Sequence, residues 1–188
     1  MSARSRRVGE RPGLRPSGAA ASVTSSGTRY PVSVTQITPF LWFDDQAEEA
    51  LALYSSVFSN SEVVNVTKFD DADRPGRGFV MGTLRLENQT IMLFNGGPFH
   101  AFSEATSLLV SCEDQGEVDH YWSALANGGT PGRCGWLKDR FGLSWQIVPR
   151  LLGELMSDPD AERATRVRDT MLQMGKIDCA ALQAAYDG

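Results

Sequence analysis

No apolar stretch of the sequence approaches the roughly 20 consecutive residues that a bilayer-spanning helix needs, which excludes a protein anchored by such helices. Cysteine is scarce. Cys112, Cys134 and Cys179 are an odd set at wide, unequal spacing, so neither a disulfide framework nor a Cys-x-x-Cys zinc motif is present. Histidine is rarer still, with only His100 and His120. Basic residues thin out after the start of the chain. Residues 1–29 hold six arginines against the single acid Glu10, a charge of +5; the whole chain carries −5, leaving −10 for the remainder. A body that acidic repels phosphate backbones, which argues against nucleic-acid binding by the folded part. The cysteine usage fits a reducing, cytoplasmic setting.

The remaining composition is that of a globular protein, with 41% hydrophobic and 22% charged residues in a chain of 188, the size of one compact domain. Residues 1–31 stand apart. Rich in Arg, Ser, Gly, Pro and Ala, with no hydrophobic period, they bury too little to offset their ordering entropy, and a disordered basic tail is expected. Arg6-Arg7 is followed by no apolar segment of the kind a twin-arginine signal carries.

Order is expected from Val32, where the β-branched and aromatic run to Phe43 reads as a strand. Asp45-Gln46-Ala47-Glu48 supplies a cap carboxylate with a glutamate three residues on, and Ala47, Ala50, Leu51, Tyr54, Val57 and Phe58 then recur at helical spacing. Three strand-like runs follow over 62–69, 79–87 and 90–95, with Asn88-Gln89 as the tight connection between the last two. The same order then returns. Ser107 to Cys112 reads as a strand, and Asp114-Gln115-Gly116-Glu117 repeats the cap at the head of a second amphipathic helix carrying Val118, Tyr121, Trp122 and Leu125. Short strands are expected at 134–138 and 144–148 around an Asp139-Arg140-Phe141-Gly142 turn. This is a βαβββ unit followed by a degenerate second one, the modules spanning about 34–106 and 107–150. Helices are expected over 151–188, one of them capped by Asp158 with Pro159 at its first position and bearing Ala164, Val167, Met171 and Met174 on one face, to cover the sheet or a partner subunit.

Four segments carry a more specific signal: Ile37-Thr-Pro-Phe-Leu-Trp-Phe-Asp44 with Ala47-Glu-Glu-Ala50, Asn95-Gly-Gly-Pro98, Cys112-Glu-Asp114, and the run from Cys134 through Gly135-Trp136 to Pro149. Together they closely resemble the PhnB-like branch of the vicinal oxygen chelate superfamily, a branch that often bears the label 3-demethylubiquinone-9 3-methyltransferase. The resemblance extends over about Thr35 to Gly188 and implies an α+β fold of paired βαβββ modules, each sheet curled around a concave site.

The resemblance also defines what to look for in a metal centre. Metal-dependent members of that superfamily place two histidines or glutamines and two glutamates on the concave strand faces. The final-strand glutamate falls here on Gln146, four residues after Gly142; the first strand offers Thr38, Phe40 and Trp42, and the strand ending at Asn95 offers an amide. Neither histidine stands at a ligand position, and no metal and no cofactor are expected. The methyltransferase label is not matched by the glycine-rich turn and doubly wound sheet that adenosylmethionine enzymes of the usual kind require. Gly96-Gly97-Pro98 follows a strand, but no helix begins after it.

Aromatic and amide side chains on the strands favour a small-molecule pocket, with Phe40, Trp42, Asn95, Trp136 and Gln146 as candidate substrate-binding residues. Strand alternation places Ser144 and Gln146 on one face and Trp145 and Ile147 on the other. Lys138, Asp139 and Arg140 form a charged turn expected to be solvated, and Cys134 lacks a nearby histidine to activate it. Two readings remain open: a metal-independent binding protein for an unidentified small molecule, or an enzyme of the same superfamily with a non-standard site. Exposed strand edges and the methionine-bearing helices lead to an expected homodimer.

Overall fold

The computed structural model describes residues 36–70 and 78–188; the basic tail expected over 1–31 lies outside them. The first module runs β1 (Phe40–Phe43), α1 (Ala47–Val57), β2 (Ser61–Phe69), β3 (Phe79–Leu86) and β4 (Gln89–Asn95), with sheet order β1-β4-β3-β2. The second repeats it with β5 (Ser107–Cys112), α2 (Gln115–Ala126), β6 (Thr130–Pro131), β7 (Trp136–Lys138) and β8 (Ser144–Pro149), in the equivalent order β5-β8-β7-β6. In each sheet the first strand pairs in parallel with the last and the other pairs are antiparallel, so the second unit is a complete βαβββ module. Three helices follow: α3 (Arg150–Met156), α4 (Ala161–Met171) and α5 (Cys179–Asp187). The α+β, paired-module architecture is the one the resemblance implies.

Several boundaries differ from the sequence reading, each for a local reason. β1 begins at Phe40 because Pro39 has no N–H to enter the ladder, although its carbonyl accepts from Met92 N at 2.9 Å. The hairpin turn is Glu87-Asn88, one residue earlier than expected, with Glu87 in the left-handed region (φ 49°). β6 has two residues beside glycines and was too short to show a period. The α4 cap is Asp160 rather than Asp158: its Oδ1 accepts from Glu162 N at 3.0 Å, whereas Asp158 accepts from Asp160 N and from the Tyr186 hydroxyl.

Both sheets bury one face against the helices. Leu84, Ile91 and Leu93 from the first sheet and Leu137, Trp145 and Ile147 from the second join α1 and α2 in a single core. That shared core requires α1 to touch both sheets. Its Tyr54, and Phe58 at its C-cap, reach Trp145, Phe58 stacking on the indole with ring centroids 5.7 Å apart. A second cluster of Leu152, Leu155, Val167, Ile177 and Leu182 ties the three terminal helices together, and Met171 and Met174 pack against it within the chain. The terminal segment is also pinned by backbone bonds, Cys134 N to Met174 O and Gly135 N to Gly175 O, both at 2.8 Å. Gly135 is required there: its φ is +82° and a Cβ would approach the Ile147 carbonyl oxygen to 2.7 Å.

Candidate functional site

The faces turned away from the core are the open faces of the two sheets. On the first, ladder registers line up Phe40 with Met92, Trp42 with Phe94, and Met81 with Phe94. The rings form one cluster: Phe94 meets Trp42 edge-on at 5.0 Å, Phe40 at 5.7 Å, and stacks with Phe79 at 5.8 Å. None of these rings is fully buried, and Phe40 remains 49% exposed. On the second, Gln146 lies between Leu109 and Trp136, with Ser144 and Lys138 on the same face. The alternation read from sequence is the observed one, since Trp145 is 2% exposed beneath the helices while Gln146 is half-buried on the open face. Gln146 Nε2 donates to Ser107 Oγ at 2.9 Å. The Ser144 hydroxyl is buried without a hydrogen-bond partner among the described residues.

The five nominated residues therefore divide. Phe40 and Trp42 stand on the first open face, and Trp136 and Gln146 on the second. Asn95 turns the other way, because alternation after Phe94 sends it to the helix side. Its Oδ1 accepts from Ala47 N at 2.6 Å and its Nδ2 donates to Asp45 O at 3.0 Å. Asn95 thus caps α1 from across the module, replacing the expected Asp45 carboxylate, and both ends of its amide are engaged. In α2 the sequence-predicted cap does form, with Asp114 accepting from Glu117 N at 3.0 Å.

Trp42 is set by its neighbours. Its Nε1 donates to Gly97 O at 2.9 Å, and its ring lies where a Cβ on residue 96 would sit, so only glycine fits at Gly96. Beside it, at the end of β1, a cavity of about 300 Å³ opens between the 100–102 loop and the β7–β8 turn, lined among others by Trp42, Asp44, His100, Phe102, Lys138 and Phe141. His100 packs edge-on against the Trp42 ring at 4.9 Å. Lys138 pairs with Glu104, whose carboxyl is held below its ordinary range chiefly by that hydrogen bond.

Asp139 corrects the expectation of a solvated charged turn. It is 3% exposed and accepts four hydrogen bonds: from Tyr54 OH at 2.7 Å, Trp145 Nε1 at 2.9 Å, Phe141 N at 2.9 Å and Leu143 N at 3.1 Å. Burial first, and then the Asp139 charge, push the Tyr54 phenol well above its usual value. A loop carboxylate gives no sequence sign that distant Tyr54 and Trp145 will converge on it.

The donor set does not fit a metal centre of the superfamily's kind. Gln146 is a neutral amide bonded to Ser107, the Asn95 amide is taken up by α1, and among the described residues no group of three or more His, Cys, Asp and Glu side chains could hold an ion. The three cysteines are free, and burial followed by the nearby Glu117 charge pushes Cys112 up to about 12.

The family model for 3-demethylubiquinone-9 3-methyltransferase matches residues 35–148, more than half of the chain. The protein belongs to this PhnB-like family. The match ends within β8, before the terminal helices. A PhnB protein from Bacillus cereus, provisionally named 3-demethylubiquinone-9 3-methyltransferase, is 35% identical, with 61% of this chain and 99% of that one covered at a TM-score of 0.56. Protein PA1353 from Pseudomonas aeruginosa shares the fold at 20% identity, with 62% and 98% covered and a TM-score of 0.53. No curated protein matches significantly.

Proposed function

We propose that this PhnB-like protein binds a small molecule against the open faces of its paired modules, without a resident metal, and works as a cytoplasmic homodimer. The observation that carries the reading is the lining of those faces. One bears a ring cluster around Phe94 with Phe40 and Trp42, the other an amide, hydroxyls and an indole in Gln146, Ser107, Ser144 and Trp136. Apolar walls with a few placed polar groups are the usual composition of a small-molecule site. The dimer follows from the same faces, since Phe40, Phe79 and Leu109 are 49%, 44% and 58% exposed, a large apolar area for an isolated chain. A second copy offers a complementary half-barrel for each face.

The family's name supports a catalytic reading as an alternative. The fold does not fit an adenosylmethionine site of the usual kind: each sheet has a single parallel pair, and no helix begins at Gly96-Gly97-Pro98. Native mass spectrometry of the full chain tests the main reading. A dimer carrying a discrete small-molecule adduct is expected, while a ligand-free monomer at micromolar concentration sinks it.

A further inference from the structure

We propose that the cavity at the end of β1 takes an aromatic monocarboxylate, its carboxylate held by the Lys138 ammonium in the place that Glu104 now occupies. This deepens the small-molecule reading and rests on it. The cavity, at about 300 Å³, lies at the low end of small-molecule sites, a size for a single ring rather than an extended ligand. Trp42, Phe102 and Phe141 supply aromatic walls, against which a ring packs edge-on as their own rings do with their neighbours. Lys138 is the cation of the lining, a point charge suited to one carboxylate. Asp44 in the same lining repels a second negative charge, which favours a monoanion over a dicarboxylate or phosphate.

The pairing with Glu104 shows that a carboxylate fits at Lys138. Both partners are partly exposed, with side-chain exposures of 40% for Lys138 and 64% for Glu104, so the pair is held weakly and exchange of one carboxylate for another meets little resistance. Glu104 thus acts as an internal competitor that an incoming acid displaces.

The test is a titration of the full chain with benzoate and with benzamide, its neutral isostere, followed by amide and indole NMR shifts. Benzoate is expected to shift the Trp42 indole and the Ala101 and Gly142 amides, and benzamide to bind much more weakly. Glu104→Gln removes the competitor and is expected to tighten benzoate by up to about fivefold, the range of an exposed ion pair. Lys138→Met is expected to weaken it by up to about fivefold, the same exposed-pair range. Equal binding of benzamide, or no tightening in Glu104→Gln, overturns the carboxylate assignment and leaves the cavity as a neutral-ligand site. No shift at the cavity with either probe overturns the inference outright, whereas the broader reading is tested separately, by native mass spectrometry of the full chain.

Discussion

Replacing Asp139 with asparagine probes the contact that joins the two modules. The carboxylate accepts from Tyr54 and Trp145 through Oδ2 and from the Phe141 and Leu143 amides through Oδ1. An asparagine has one acceptor oxygen, so one pair of donors must face its NH2 group. The Tyr54 hydroxyl can rotate to accept, but the indole N–H and the backbone amides cannot. A buried donor left unpartnered costs about 1–3 kcal/mol, and a bond to a charged acceptor is worth about 1.5–3 kcal/mol. Asp139→Asn is therefore expected to lower stability by about 2–4 kcal/mol, measured by urea denaturation with tryptophan fluorescence and far-UV circular dichroism together. Tyr54→Phe removes one donor cleanly and is expected to cost about 1.5 kcal/mol. The double variant should fall short of the sum by about 1 kcal/mol, as expected for residues in one network. A loss below about 0.5 kcal/mol for Asp139→Asn, the level of an ordinary surface change, would refute the network's role.

High pH gives an independent readout of the same contact. The Tyr54 phenol is raised above its ordinary 10.0 in the folded state, so its contribution is complete below pH 10 and is lost as pH rises further, by about 1.4 kcal/mol per pH unit until the folded group titrates. The fall of stability with pH above 10 should be shallower in Tyr54→Phe than in the parent protein; an unchanged slope counts against the buried phenol. Asn95→Ala removes the distant cap of α1 and is expected to cost about 1–2 kcal/mol in thermal or urea unfolding, whereas a neutral result would mean that water satisfies Ala47 N equally well. Cys112, fully buried and with its thiol raised to about 12, should resist iodoacetamide in the native protein at pH 8 and react once unfolded. Rapid native labelling at that position, read by peptide mass spectrometry, would contradict its burial.

Much of the fold was legible because it is periodic. Val118 and Leu125 at helical spacing, and Trp145 and Ile147 alternating with Gln146, identify their buried faces without any distant information. The duplicated Asp-Gln-x-Glu text exposed the module repeat, yet its two copies work differently: Asp114 caps α2, while α1 is capped by Asn95, 48 residues from Ala47 along the chain. That substitution could not be read locally, since Asn95 reaches the helix only once β4 has paired beside β1. Asp139 was missed for a related reason. Its burial depends on Tyr54, 85 residues away, and a charged turn looks solvated until α1 covers it. The cavity beside Trp42 likewise joins β1, the 100–102 loop and the β7–β8 turn, which no single sequence window contains.

Protein-observed NMR of the full chain against a library of small aromatic and polar fragments bears most directly on the claim that the paired modules hold a small molecule. Shifts clustered at Trp42, His100, Lys138, Trp136 and Gln146, and absent from the helix-side core, are the predicted result. Fragments that leave these residues unmoved, or that perturb only the terminal helices, would contradict it.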